Sequence, residues 1–311
     1  MASQELQANR IQGSAVLSSS GQNLGTLTDI IVNYASGRID LGLVSLNSTA
    51  GGTSGEIVPV PWSLLRASNQ GTTQPGSTQP LAFVFTGDPA KLQGAPSFSQ
   101  NNWPDVSQAS WRQNIYSYYG VTPPIYPPST TTSQMASQDV LVNKIRGSTV
   151  LSSSGQNLGT LTDITVNYNA GSIDLGLLSL NASAGGTSGQ LVPVPWNLMR
   201  ASSQGATPEA ASTQPLSFVF TGDAGILHGA PSFSQNNWPD VNQPSWRQAV
   251  YSYYGVYGGG ESPGGMNIGS VNWPGTTTTY KPANDMQAQR PVGPTNLYFQ
   301  YYPYYQYSSQ P

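Results

Sequence analysis

"VLSSSGQNLGTLTDI" occupies Val16–Ile30, and the same run returns unchanged at Val150–Ile164. From it the pattern continues as "NLGTLTDIIVNY" (Asn23–Tyr34) and "GRIDLGLVSLN" (Gly37–Asn47), in which apolar residues alternate with small or polar ones. That is the two-residue period of a β-strand. "ASG" (Ala35–Gly37) separates the two runs as a hairpin turn, and "NAG" (Asn169–Gly171) takes its place in the second copy. "SSSGQN" (Ser18–Asn23) reads as the turn ahead of the first long strand. Leu24, Leu27 and Ile30 are candidate core contacts, and Gly25 and Gly159 mark a bulge or a close approach of backbone.

The repeat extends well beyond this hairpin. Trp62 matches Trp196 at an offset of 134, and Trp103 matches Trp238 at an offset of 135. The single inserted residue falls in the loop "SNQGTTQPGSTQP" (Ser68–Pro80) against "SSQGATPEAASTQP" (Ser202–Pro215), and surface loops absorb insertions at least cost. The expected organisation is a first unit over 1–120, a Pro/Thr-rich spacer over 121–134, a second unit over 135–256 and a Gly/Pro/Thr/Tyr-rich tail over 257–311. Each unit is large enough to hold a core of its own. "MASQ" opens the chain and recurs at Met135, as expected if Met1 is a native start.

The rest of each unit is shorter elements. "GGTSG" (Gly51–Gly55, Gly185–Gly189) is an inter-strand loop; without a lysine or a following helix it is no phosphate loop. "VPVPW" (Val58–Trp62, Val192–Trp196) is a proline-bearing strand of the kind found at a barrel edge. "PLAFVFTG" is a further strand. Asp88 and Pro89 supply an N-cap and first residue for a short helix. "DVSQASWRQNIYSYYG" (Asp105–Gly120) is a longer one, with Trp111, Ile115 and Tyr118 on one stripe and Gly120 as its stop. Trp246, Val250 and Tyr253 repeat that stripe.

Only 8% of residues are Asp, Glu, Lys or Arg, against roughly 25% in ordinary domains. Such a surface is polar without being charged and repels its neighbours weakly. A net charge of −3 with scattered basic residues argues against nucleic acid, which needs clustered Lys and Arg. Zero cysteines excludes disulfides and thiolate chemistry. No apolar run reaches the roughly 20 residues of a membrane span, and no apolar segment of a signal peptide is visible.

Gly13 and Gly147, the "GxxLGxLxDI" cores (Gly21–Ile30, Gly155–Ile164) and the closing "VPVPW" together resemble the PRC-barrel family. It is a small β-barrel shared by the H subunit of the photosynthetic reaction centre and a ribosome-maturation factor. The likeness covers about Arg10–Ala67 and Lys144–Ala201. It implies a mainly β fold of two tandem small barrels, each here followed by a short aromatic-rich helical extension, and it implies docking and assembly without a shared catalytic set. The extension "APSFSQNNWPD…W…YSYYG" is similar to one found beside such barrels in some bacterial proteins.

Candidate chemistry is sparse. Asp29 and Asp40, repeated as Asp163 and Asp174, lie on strands of one hairpin and would form an acid/base pair or a cation site only if they face each other. His228 is the sole histidine, with Gln93 at its place in the first unit. No G-x-S-x-G elbow accompanies any serine, so a surface-loop histidine is expected, and no enzyme and no cofactor. Asn47 and Asn181 begin sequons at equivalent positions. Trp103, Trp111, Tyr118, Trp238, Trp246 and Tyr253 are expected to pack the extension onto the barrel. In the tail, Leu297, Tyr298, Phe299, Tyr301, Tyr302, Tyr304, Tyr305 and Tyr307 are candidate subunit contacts, because tyrosine supplies large rigid contact area.

These features lead to an expectation of a self-associating structural protein, a subunit of an extracellular filament, sheath or surface layer, its partner being itself. A docking or assembly module for a larger, membrane-associated or soluble, protein complex is the alternative, and the cytoplasm is the alternative place to the cell surface or exterior. A hydrolase ranks third.

Overall fold

The computed structural model describes residues 5–53, 55–68, 82–106, 108–124, 139–202, 216–241 and 243–256. Most of the spacer and the whole tail, including its Tyr-rich contacts, lie outside the described residues.

The first unit contributes β1 (Glu5–Gln7), β2 (Ala15–Leu17), β3 (Asn23–Asn33), β4 (Arg38–Leu46), β5 (Glu56–Pro61), β6 (Leu65–Ala67), β7 (Ala82–Phe85) and β8 (Phe98–Ser99). Its helices are α1 (Ala8–Ile11), α2 (Ala90–Gln93) and α3 (Ala109–Tyr119). The second repeats the order with β9 (Asp139–Leu141), β10 (Ser148–Ser152), β11 (Asn157–Asn167), β12 (Ser172–Leu180), β13 (Gln190–Pro195), β14 (Met199–Ala201), β15 (Ser217–Phe220) and β16 (Phe233–Ser234). Its α-helices are α4 (Val142–Ile145) and α5 (Pro244–Tyr253). The fold is mainly β, as the alternation predicts, and the two units repeat one barrel-like arrangement, as the resemblance implies.

The long hairpin is the spine of each barrel. β3 and β4 pair antiparallel with register shifts at Leu27/Asp29 and Ile31/Val32, and bulges of this kind bend a strand towards closure. β2 adds to β3, β5 to β4, β7 runs parallel to β2, and β6 pairs with β7. Gly25 sits where a Cβ would lie 2.2 Å from the Ser45 carbonyl oxygen, so only glycine lets the hairpin close there. Leu24, Leu27 and Ile30 are buried. The prolines of β5 face β4 at Pro59 and Pro61, while β8 pairs only with Glu56 and Ile57, so the missing N–H groups interrupt no second ladder.

The two barrels exchange their first strands. β1 pairs with β11 of the second unit, Leu6 opposite Val166, and β9 pairs with β3 of the first, Val140 opposite Val32. After each exchanged strand, a single helical turn (α1 or α4) buries Ile11 or Val142 and Ile145. The chain then re-enters its own barrel at Gly13 or Gly147, whose N–H groups donate to Leu27 and Leu161 at 2.8 Å. Both glycines have φ of +83°.

The junction between the units repeats itself about a pseudo-two-fold. Ile39 N–H donates to the Gly171 carbonyl and Ile173 N–H to that of Gly37, at 2.8 and 2.6 Å. Trp62 Nε1 donates to Tyr168 O and Trp196 Nε1 to Tyr34 O, both at 3.1 Å. Tyr34 stands edge-on to Phe218 and Tyr168 to Phe83. The turn glycines Gly37 and Gly171 lie on Trp196 and Trp62 so closely that a Cβ would sit 2.7 to 2.8 Å from the indole. The larger apolar core consequently runs through both units, where the sequence predicts one core per unit, and a smaller separate cluster lies under α5 around Phe233 and Trp246. Three-residue strands given to the neighbouring barrel leave each unit incomplete without the other.

The extensions pack onto the barrels by their helices. Asp88 Oδ1 accepts from Ala90 N at the start of α2, and Gly120 ends α3 at φ +70°. The stripe of α3 is rotated from the expected one. Ile115, Tyr116 and Tyr119 are buried, whereas Trp111 and Tyr118 are half-buried. Tyr118 instead reaches across with its hydroxyl to Lys91 O at 2.7 Å, and Tyr253 does the same to Ile226 O at 2.6 Å.

Candidate functional site

β4 carries Asp40 beside the bulge at Ile31/Val32, and the carboxylate is fully buried against the extension. Arg112 of α3 grips it with two charge-assisted bonds, Nε to Oδ2 at 2.6 Å and Nη2 to Oδ1 at 2.9 Å. Tyr116, one turn further along the helix, donates its hydroxyl to Oδ1 at 3.0 Å, and the guanidinium stacks 5.2 Å from that tyrosine ring. Such a fork-on-carboxylate geometry is the strong form of an ion pair. The second unit repeats it: Arg247 reaches Asp174 at 2.9 and 2.8 Å, and Tyr251 donates to Asp174 Oδ1 at 2.7 Å.

Arg112 has two further partners. Nη2 also donates to Pro124 O at 3.0 Å, and Nε lies 3.7 Å from Asp139 Oδ2 on the exchanged strand β9. Asp139 in turn accepts from Asn33 Nδ2 at 3.0 Å. A single guanidinium thus ties together the first barrel, its extension and the strand donated by the second unit.

Asp29 and Asp40 do not face each other. Asp29 pairs across the ladder with Leu43, three residues from Asp40, which is about 10 Å along a strand. It accepts from Ile30 N at 2.8 Å and Gln12 Nε2 at 3.2 Å. Burial pushes its carboxyl up from 3.8 to about 6, against the opposing pull of those two hydrogen bonds and of Arg146. Burial also raises Asp163, against its hydrogen bond from Ile164 and the charge of Arg146, whose Nε is 3.8 Å away. Each hairpin therefore holds its two aspartates apart, Asp29 from Asp40 and Asp163 from Asp174, with no acid/base pair between them. Among the described residues no three His, Asp or Glu side chains converge as a metal site would need.

His228 lies exposed on the 3-10 turn Ala224–Gly229, its ring over Gly185. Gln93 covers Gly51 in the same way, so the two residues fill one packing position. Asn47 caps the turn Ser48–Ala50 through Ala50 N and donates Nδ2 to Asn23 O at 2.6 Å. Asn181 Nδ2 likewise donates to Asn157 O at 3.2 Å. The asparagines of both sequons thus have a backbone role.

The aromatics of the extension sort by depth. Phe98 holds Trp103 at 4.9 Å and Trp111 at 6.4 Å between ring centres, and Phe233 holds Trp238 and Trp246 at 4.9 and 6.3 Å. Trp103 remains 40% exposed. At the junction lies a recess of about 810 Å³ floored by Trp62 and Tyr168, with the exposed cations Arg38 and Arg66 on its rim. The second unit has Ser172 where the first has Arg38, and the two residues are opposed across the β4–β12 contact.

Sequence reasoning passed over Arg112 and Arg247. The available signal was their recurrence at equivalent positions, paired with a recurring Asp, in a chain that carries few charges.

The sequence profile of the PRC-barrel domain matches the chain twice, over residues 3–72 and 138–206. Each match includes the exchanged strand, which lies outside the stretches Arg10–Ala67 and Lys144–Ala201 that carry the resemblance. No curated protein matches the chain.

Proposed function

From a chain that carries two PRC-barrel domains, we propose a non-catalytic structural protein that self-associates, a subunit of an extracellular filament, sheath or surface layer. The Tyr-rich segment Leu297–Pro311 docks on a neighbouring subunit. The observation that carries this reading is the use made of the repeated charged and hydroxyl side chains. Asp40, Arg112 and Tyr116, with Asp174, Arg247 and Tyr251, hold extensions to barrels. What remains outside is mostly uncharged, which lowers repulsion between copies. A place outside the cell rests on that same surface.

Negative-stain microscopy of the full chain and of a chain lacking Leu297–Pro311 tests it. Fibres or sheets from the full chain and folded monomers from the truncated one are expected. Assembly unimpaired by the truncation removes the tail's role, and a full chain that stays monomeric at high concentration removes the reading itself.

The recess rimmed by Arg38 and Arg66 favours a second reading, docking to a larger complex through an acidic partner surface. That reading expects a defined one-to-one complex in a pulldown, lost in Arg38→Glu, and no polymer from the purified protein.

A further inference from the structure

We propose that the contact between the units also forms between chains. The second unit of one copy docks on the first unit of another by the same reciprocal strand exchange, and copies are linked end to end. This rests on the self-assembly reading and gives it a second contact, which forms once docking of the tail has brought copies together.

Every bond of the junction joins residues on opposite sides of the connection 125–138. The ladders β1–β11 and β9–β3, the Trp62–Tyr168 and Trp196–Tyr34 bonds and the Asn33–Asp139 pair need the two surfaces and not a particular chain between them. A second copy therefore offers an identical set. Each chain holds one surface of each kind, so exchange passed on from copy to copy propagates, whereas exchange returned to the first copy closes a dimer.

The connection decides between the two arrangements. Within one chain both of its ends meet on Arg112, at Pro124 O and Asp139 Oδ2. The intervening 14 residues, 125–138, have a covalent reach of at most about 46 Å, at roughly 3.3 Å per residue. A unit of this length has a diameter of about 35 Å, so the same connection also spans from one junction to the next. The intramolecular form is favoured in dilute solution by its high effective concentration, and exchange between chains takes over when copies are crowded.

The chain has no cysteine, so introduced pairs report the arrangement without background. Asn33→Cys with Asp139→Cys joins a pair that is opposed across β3–β9, and Glu5→Cys with Asn167→Cys does so across β1–β11. The full-length double variants are concentrated to the point of assembly, oxidised, and run on a denaturing gel without reductant, alongside each single variant. Covalent ladders from assembled samples, collapsing to a cross-linked monomer on prior dilution, are expected. A monomer band alone from assemblies visible by microscopy overturns the exchange and leaves self-assembly standing. A monomer band with no assemblies overturns both. Should loss of the Arg112–Asp139 contact unfold the first pair, the second carries the same three outcomes.

Discussion

Removing the guanidinium of Arg112 would leave the Asp40 carboxylate buried without its two-pronged ion pair. Breaking one side of a buried ion pair typically costs about 3–5 kcal/mol, so Arg112→Ala should lower unfolding stability by about 3 kcal/mol or more. Arg247→Ala should cost less, because the Arg247 side chain is 34% exposed against 16% for Arg112, and water screens what remains. Equal losses in denaturant titrations of the two variants would contradict this ranking. Asp29 works in the opposite sense. Its folded form holds a proton that the unfolded chain releases near 3.8, and keeps it up to about 6. The folded state therefore binds more protons across that window, and stability falls as pH rises through it. The full difference is about 3 kcal/mol at one pK unit per 1.36 kcal/mol. Asp29→Asn keeps an oxygen for Ile30 N–H and has no charge to bury. Its stability should fall less than that of the wild type between pH 4 and 7, and parallel curves would remove the assignment.

At the scale of elements, the hairpin stands or falls on its glycines. Gly25→Ala and Gly159→Ala would each drive a Cβ to 2.2 Å from the carbonyl oxygen of Ser45 or Ser179, a backbone atom fixed by the ladder. Overpacking of this kind costs at least about 2 kcal/mol, measurable by chemical denaturation. Gly13→Ala meets no atom within 4 Å and carries only its positive φ, at about 1 kcal/mol; if it were as damaging as Gly25→Ala, close packing would not be the cause. These elements are the ones a sequence announces: the alternation, the turns and the strand glycine are all local signals, and so is the stop of α3 at Gly120. The exchange is not local. Three residues such as Glu5–Gln7 or Asp139–Leu141 can be read as a strand, but which sheet edge they complete depends on where an edge stands open. The ion-pair anchors lie 72 residues apart, and no spacing rule joins them. Even the buried face of α3 was set from outside the helix, because Asp40 satisfies the hydroxyl of Tyr116 and lets that ring go inside.

For the molecule as a whole, exchanged strands and a main core shared by both units make them one cooperative body. Melting should follow a single calorimetric transition whose enthalpy equals its van't Hoff value, the criterion for two-state behaviour. A perturbation placed in one unit separates this from coincidence. Trp196→Phe keeps a large ring against Phe218 but removes the Nε1–H bond to Tyr34 O, leaving a carbonyl at the junction without that donor. Such a loss is worth about 1–3 kcal/mol. If the units share one core, the whole transition moves to lower temperature and stays single, because neither barrel can keep its borrowed strand once the other has opened. If the units were independent, the variant would split the trace, with the second unit melting early and the first unchanged. The mirror variant, Trp62→Phe, removes the matching bond to Tyr168 O and should displace the same single transition by a similar amount.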